Sequence, residues 1–90
     1  MKTYSVEFKT SAAKELKRLP KVIQIKIMDA VRLLATDPFS VLLPIRKMEG
    51  RFSEYRFRIR VGKYRVIYEV QKEKIVIFVI RIGHRKDIYR

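Results

Sequence analysis

The fold is decided by residues 55–70: Tyr55-Arg56-Phe57-Arg58-Ile59-Arg60-Val61, then Gly62-Lys63, then Tyr64-Arg65-Val66-Ile67-Tyr68-Glu69-Val70. Side chains on a strand alternate between faces with a period of two. Tyr55, Phe57, Ile59 and Val61 therefore point one way, and Arg56, Arg58 and Arg60 the other. Gly62-Lys63 has the length of a two-residue hairpin loop. In the second strand Tyr64, Val66, Tyr68 and Val70 form the apolar row, and Arg65 has the opposite parity. If the apolar rows face a core, the arginines share the other face. Guanidiniums held in such a row repel one another unless an anion lies across them, so the pattern predicts a seat for a polyanion.

Working outward, Gln71-Lys72-Glu73-Lys74 reads as a polar hairpin connection. Ile75 to Ile82 reads as a continuously apolar inner strand that Gly83 ends, leaving a short basic tail from His84 to Arg90. Towards the N-terminus, Tyr4 to Phe8 alternates as a strand. Ser11 is the expected cap of a first helix carrying Ala12, Leu16 and Leu19, without a capping box because Lys14 stands three residues on. Pro20 closes that helix or opens the next. Lys21 to Ala35 is a second helix, with Ile23, Ile27, Ala30, Val31 and Leu34 on its apolar side. Asp37-Pro38 stops it, and residues 38–53 read as a connection with a short edge strand around Leu42. The expected architecture is a single α+β domain over residues 1–90. An N-terminal strand and a helical hairpin precede a mainly antiparallel three-strand meander, completing a four-stranded sheet with helices on one face.

Lys and Arg number 22 against 9 Asp and Glu, a net charge of +13 in 90 residues. Residues 46–90 hold nine of the eleven arginines. Arginine is the planar, permanently charged phosphate reader, so this bias favours nucleic acid as partner. The hydrophobic fraction of 48% is ample for a core. Without cysteine there is no disulfide or zinc–thiolate site. The nine carboxylates are dispersed, His84 is the only histidine, and no glycine-rich phosphate loop occurs, so neither metal nor cofactor is expected. The longest apolar run, Ile75 to Ile80, is too short to span a bilayer, and no signal-like segment follows Met1. A soluble cytoplasmic protein is expected, without a membrane partner.

Three strings carry a family resemblance. Tyr64-Arg65-Val66-Ile67-Tyr68 resembles the "YRVIY" hairpin core of RelE-type toxins of bacterial and archaeal toxin–antitoxin systems. Ile82-Gly83-His84-Arg85-Lys86-Asp87-Ile88-Tyr89 resembles their C-terminal "GHRxxVY" signature, and Lys47-Met48-Glu49-Gly50 their "KLxG". The three occur in the family's order and spacing. The resemblance implies a ribosome-dependent endoribonuclease that cuts mRNA in the A site. It also implies a cognate antitoxin that occludes the basic face, the complex binding its own operator DNA. By position, Arg56 and Arg58 stand where well-known members place lysines. Arg65 matches a phosphate-binding arginine, and Arg85 one assigned to transition-state stabilisation or acid catalysis. Tyr89 matches a C-terminal tyrosine that orients the cleaved nucleotide, although it follows the arginine more closely here.

Metal-free RNA cleavage uses the 2′-hydroxyl as nucleophile and must neutralise charge on a pentacoordinate phosphorus. Arg58, Arg65 and Arg85 are candidates for that task, and Arg56, Arg60, Lys47, Lys63, Arg81 and Lys86 for binding RNA. Arginine cannot serve as a conventional base, its pKa lying above ~12. His84, beside Arg85, is the candidate acid or base; the alternative is a polar residue that caps the end of the sheet. Two other functions compete: a non-catalytic inhibitor of DNA gyrase, as in ParE-type relatives, and a nucleic-acid-binding member that acts only in autoregulation.

Overall fold

The computed structural model describes residues 3–48 and 56–88. Tyr55, Glu49, Gly50 and Tyr89, all used in the sequence reading, lie outside the described residues. In chain order the elements are β1 (Ser5–Phe8), α1 (Thr10–Lys17), α2 (Lys21–Thr36), β2 (Ile45–Lys47), β3 (Arg56–Val61), β4 (Tyr64–Gln71) and β5 (Val76–His84). The strands form one sheet in the order β1-β5-β4-β3-β2. β1 runs parallel to β5, and the other pairs are antiparallel. The α+β architecture is the expected one, with a fifth strand added at the edge.

The helical hairpin covers one face. Ala12 of α1 and Ile27, Val31 and Leu34 of α2 pack against Ile59, Val66, Tyr68, Val70, Ile77, Val79 and Ile82. Each Val, Leu or Ile among them stabilises the fold by roughly 1.5–3 kcal/mol through burial, as an upper estimate. Lys26, Asp29 and Arg32 lie on the exposed side of α2, as the periodicity requires. The tight turn between the helices is closed by Gln24, whose Nε2 donates to the carbonyl of Leu19 at 2.8 Å. Pro20 caps the start of α2, and its carbonyl accepts from the N–H groups of Ile23 and Gln24.

Four expectations need correction. The sheet has five strands rather than four, because Ile45–Lys47 pairs with β3 as an edge strand; Leu42 lies in a loop and is 90% exposed. Lys9, not Ser11, is the N-cap of α1. The N–H of Lys9 is still bonded to Val79 in the strand ladder, so the helix begins where β1 ends and Ser11 falls inside it. Ile75 precedes the last strand, at a left-handed φ of 55°. Gly83 does not break that strand, which continues to His84 with Gly83 opposite Arg65.

Candidate nucleic-acid interface

Register turns the arginine row into a grid. Across β3 and β4, Arg60 lies directly opposite Arg65, Arg58 opposite Ile67 and Arg56 opposite Glu69. Across β2 and β3, Arg46 lies opposite Arg58. All of these have the parity opposite to Ile59, Val66 and Tyr68, which pack on the helices. Two Arg–Arg pairs thus stand side by side on the face the helices leave uncovered. Such a grid gives this face a positive potential that favours an anion.

The pairs line a cleft of about 280 Å³ formed by Pro44, Ile45, Arg46, Arg58, Arg60 and Arg65. The head of Arg65 is fixed: Nη1 donates to the carbonyls of Gly62 at 3.1 Å and Tyr64 at 2.9 Å. The hairpin turn that creates this arginine's position therefore also holds its orientation, and donors fixed in advance need no reorganisation when charge develops. A larger hollow of about 560 Å³ is lined by Phe39, Phe57 and residues 69–74, with Lys72 over the Phe39 ring at 5.1 Å. It carries both signs of charge and selects no anion.

The residues after β5 fold back as a turn over one side of this face. Ile88 is buried, and its side chain lies where a Cβ on Gly83 would meet it at 3.9 Å. Arg81 Nη1 donates to the Ile88 carbonyl at 2.9 Å, while Nη2 pairs with Glu15 at 3.4 Å. Arg81, a candidate RNA contact by sequence, is thus engaged internally. Arg85 is exposed on the turn, and its N–H donates to the carbonyl of Lys63, which brings the turn beside the β3–β4 hairpin. Lys63 and Lys86 are exposed nearby.

His84 lies opposite Tyr64, with ring centroids 5.5 Å apart, and so has the parity of the helix-facing row rather than of the arginines. Its Nδ1 accepts the backbone N–H of Lys86 at 3.1 Å. That bond requires a lone pair on Nδ1 and places the ring proton on Nε2. Its carbonyl accepts from the N–H groups of Asp87 and Ile88. Lys47 is exposed on β2 with the parity of Phe57, away from the arginine grid. Arg56 is paired with Glu69 at 3.8 Å. The grid therefore unites Arg58, Arg60 and Arg65 and adds Arg46, which sequence reasoning missed. The signal was the apolar–basic alternation of Ile45-Arg46, hidden in a stretch that reads as connection between two prolines and a glycine.

Residues 6–89 match the family model described as the ParE toxin of the type II toxin–antitoxin system parDE. Toxin RelG of Mycobacterium tuberculosis is 35% identical over 89 residues, covering 97% of each chain. The mRNA interferase toxin RelE of Escherichia coli K12 is 28% identical, covering 92% of this chain and 84% of its own. Among solved structures, the archaeal RelE–RelB complex from Pyrococcus horikoshii superposes with a TM-score of 0.79 at 28% identity, over 94% of this chain and 98% of that one. The isolated E. coli RelE toxin gives 0.78 at 26% identity, over 96% and 90%.

Proposed function

The chain belongs to the RelE/ParE toxins of type II toxin–antitoxin systems, and from that premise we propose that it cleaves mRNA in the ribosomal A site without a metal. The observation that carries this reading is the cleft with four arginines from three strands, Arg46, Arg58, Arg60 and Arg65. In the reaction the 2′-oxygen forms a bond to phosphorus and loses its proton, while the bond from phosphorus to the 5′-oxygen breaks and that oxygen gains one. The negative charge that builds on the phosphoryl oxygens is met by Arg58 and Arg65, with Arg85 approaching from the C-terminal turn. Tyr89 follows that turn and orients the nucleotide. His84 serves the proton transfers or holds the turn that carries Arg85.

The archaeal RelE from Pyrococcus horikoshii is in complex with RelB, and a cognate antitoxin is the corresponding partner here. With a net charge of +13, the complementary antitoxin is acidic or amphipathic and covers the arginine face. By binding only the folded toxin it also raises the toxin's stability.

Cleavage of mRNA on programmed ribosomes by the purified protein tests the reading, beside Arg65→Ala, Arg85→Ala and mRNA alone. Cuts confined to the A-site codon, reduced about 10²–10³-fold by either substitution, are expected. A second reading, inhibition of DNA gyrase, draws on the ParE description of the matching family. Intact mRNA in every lane together with blocked supercoiling by gyrase would replace the first reading with the second.

A further inference from the structure

We infer that Arg81 is a positioning residue: held by Glu15, it clamps the turn that carries Arg85 and so sets where that guanidinium meets the scissile phosphate. This deepens the proposed function and rests on it for the phosphate. Residues 85–87 are exposed, so packing of their side chains does not hold them. The turn is fixed at its two ends instead. At the first, the N–H of Arg85 donates to the carbonyl of Lys63 at 2.8 Å and ties the turn to the β3–β4 hairpin. At the second, the Ile88 side chain is buried and its N–H donates to the carbonyl of His84 at 3.1 Å. The carbonyl of Ile88 accepts from Arg81 Nη1 at 2.9 Å. Arg81 stands opposite Ile67 and has the parity of Gly83, over which Ile88 packs. A side chain of β5 thus fastens the far end of the turn to the sheet.

Arg81 can do this because it is itself held. Its Nη2 lies 3.4 Å from Glu15 Oε2, and Glu15 Oε1 accepts the backbone N–H of Ile82 at 3.0 Å. The relay runs from a strand amide through a carboxylate and a guanidinium to the carbonyl at the end of the turn. Each member is oriented by the one before it. Arginine is the residue such a bridge needs. Its planar fork serves a carboxylate and a carbonyl with different nitrogens, whereas lysine brings its donors from a single atom. Glu15 also answers the charge of Arg81, so what Arg81 gives the reaction is placement rather than charge. Placement matters: a shift of ~1 Å in a reacting group can cost as much as ~10²-fold in rate.

The test is cleavage on programmed ribosomes at limiting and saturating toxin, by Arg81→Met, Arg85→Ala and the double variant, with backbone hydrogen exchange of each isolated protein. Arg81→Met keeps the aliphatic stem and removes both bonds. It is expected to cleave about 10- to 100-fold more slowly at saturation, with the toxin concentration for half-maximal rate unchanged. In the Arg85→Ala background the same substitution should cost less than about twofold, since it acts through a group already gone. A protein that is merely less stable, or an Arg81 that touches RNA itself, would lose as much again there. Glu15→Gln offers its oxygen to Ile82 and turns a donor towards Arg81, so it should stay close to wild type in urea midpoint yet cleave several-fold more slowly. Exchange of the Arg85 and Ile88 amides should quicken about tenfold in Arg81→Met, while Val66 and Tyr68 in the sheet keep their protection. Wild-type cleavage by Arg81→Met, equal losses in the two backgrounds, or unchanged exchange at both amides overturns the inference. Intact mRNA with the wild-type protein, beside quickened exchange in Arg81→Met, would sink the proposed function and leave the clamp standing.

Discussion

Glu15 of α1 accepts the backbone N–H of Ile82, 67 residues along the chain, at 3.0 Å. β1 ends at Phe8 opposite Val79, so beyond that point the outer side of β5 has no strand neighbour among the described residues. The Glu15 carboxylate takes the place of one, and its other oxygen holds Arg81, which in turn holds the carbonyl of Ile88. One side chain thus ties the first helix, the outer side of β5 and the C-terminal turn.

Glu15→Ala should lower unfolding stability by about 1–3 kcal/mol, since it strands a half-buried donor. Glu15→Gln keeps an acceptor for Ile82 and should recover most of the loss. Urea midpoints of the three proteins check this, and equal midpoints for Ala and Gln would show that charge, not the hydrogen bond, is what matters.

Gly62 stands at φ +59°, and a Cβ added there would meet nothing within 4 Å. The cost of Gly62→Ala is therefore conformational only, about 1 kcal/mol. Gly83 shows no such φ, and its Cβ would meet Ile88 at an ordinary van der Waals distance of 3.9 Å. Gly83→Ala should be near neutral in thermal unfolding, with Gly62→Ala clearly below wild type.

The Nδ1 of His84 is engaged by the N–H of Lys86. An asparagine there can offer its carbonyl oxygen in place of Nδ1 but cannot exchange a proton near neutral pH. If His84 holds the turn, His84→Asn should cut mRNA within a few fold of wild type while His84→Ala is slower. Equal losses of ~10²-fold or more in both would assign proton transfer to the ring instead.

Tyr68 is fully buried, and its hydroxyl donates to the carbonyl of Pro38 at 3.2 Å. Burial pushes its phenol well above the ordinary value near 10. The folded chain thus holds this proton more tightly than the unfolded one. The contribution to stability is fully present below pH ~10 and is lost as the pH rises above it. Tyr68→Phe should cost about 0.5–1.5 kcal/mol at neutral pH. It should also make the decline of unfolding free energy above pH ~10 shallower than in wild type.

What was legible in the sequence is what local pattern dictates. The alternation through Arg56–Val61 and Tyr64–Val70, the Gly62-Lys63 loop and the apolar side of α2 all reappear in place, because register and burial follow from the period of the side chains. β2 was not legible, since the alternation of Ile45-Arg46 beside Pro44 is too short to mark a strand by itself; its pairing is imposed by β3. Arg46 was lost with it. The cap of α1 was misplaced because the strand ladder, a tertiary feature, still held Lys9. Arg81 looked like part of a basic surface, and only the packing of α1 on β5 brings Glu15 to it. Among the site residues, the arginines of β3 and β4 could be placed by counting. The surroundings of His84 could not, because they depend on how the chain turns after the last strand.

The parallel pairing of β1 with β5 has a consequence for biosynthesis. Ser5 pairs with Val76, and the strand between β1 and β4 comes last in chain order among the described elements. Until Val76–His84 has emerged, β1 has no neighbour, the helical hairpin lacks much of the surface it packs on, and Arg65 lacks the turn beside it. Long-range closure of this kind is slow compared with local helix formation. The core of the sheet between β1 and β4 therefore closes only once Val76–His84 has been made.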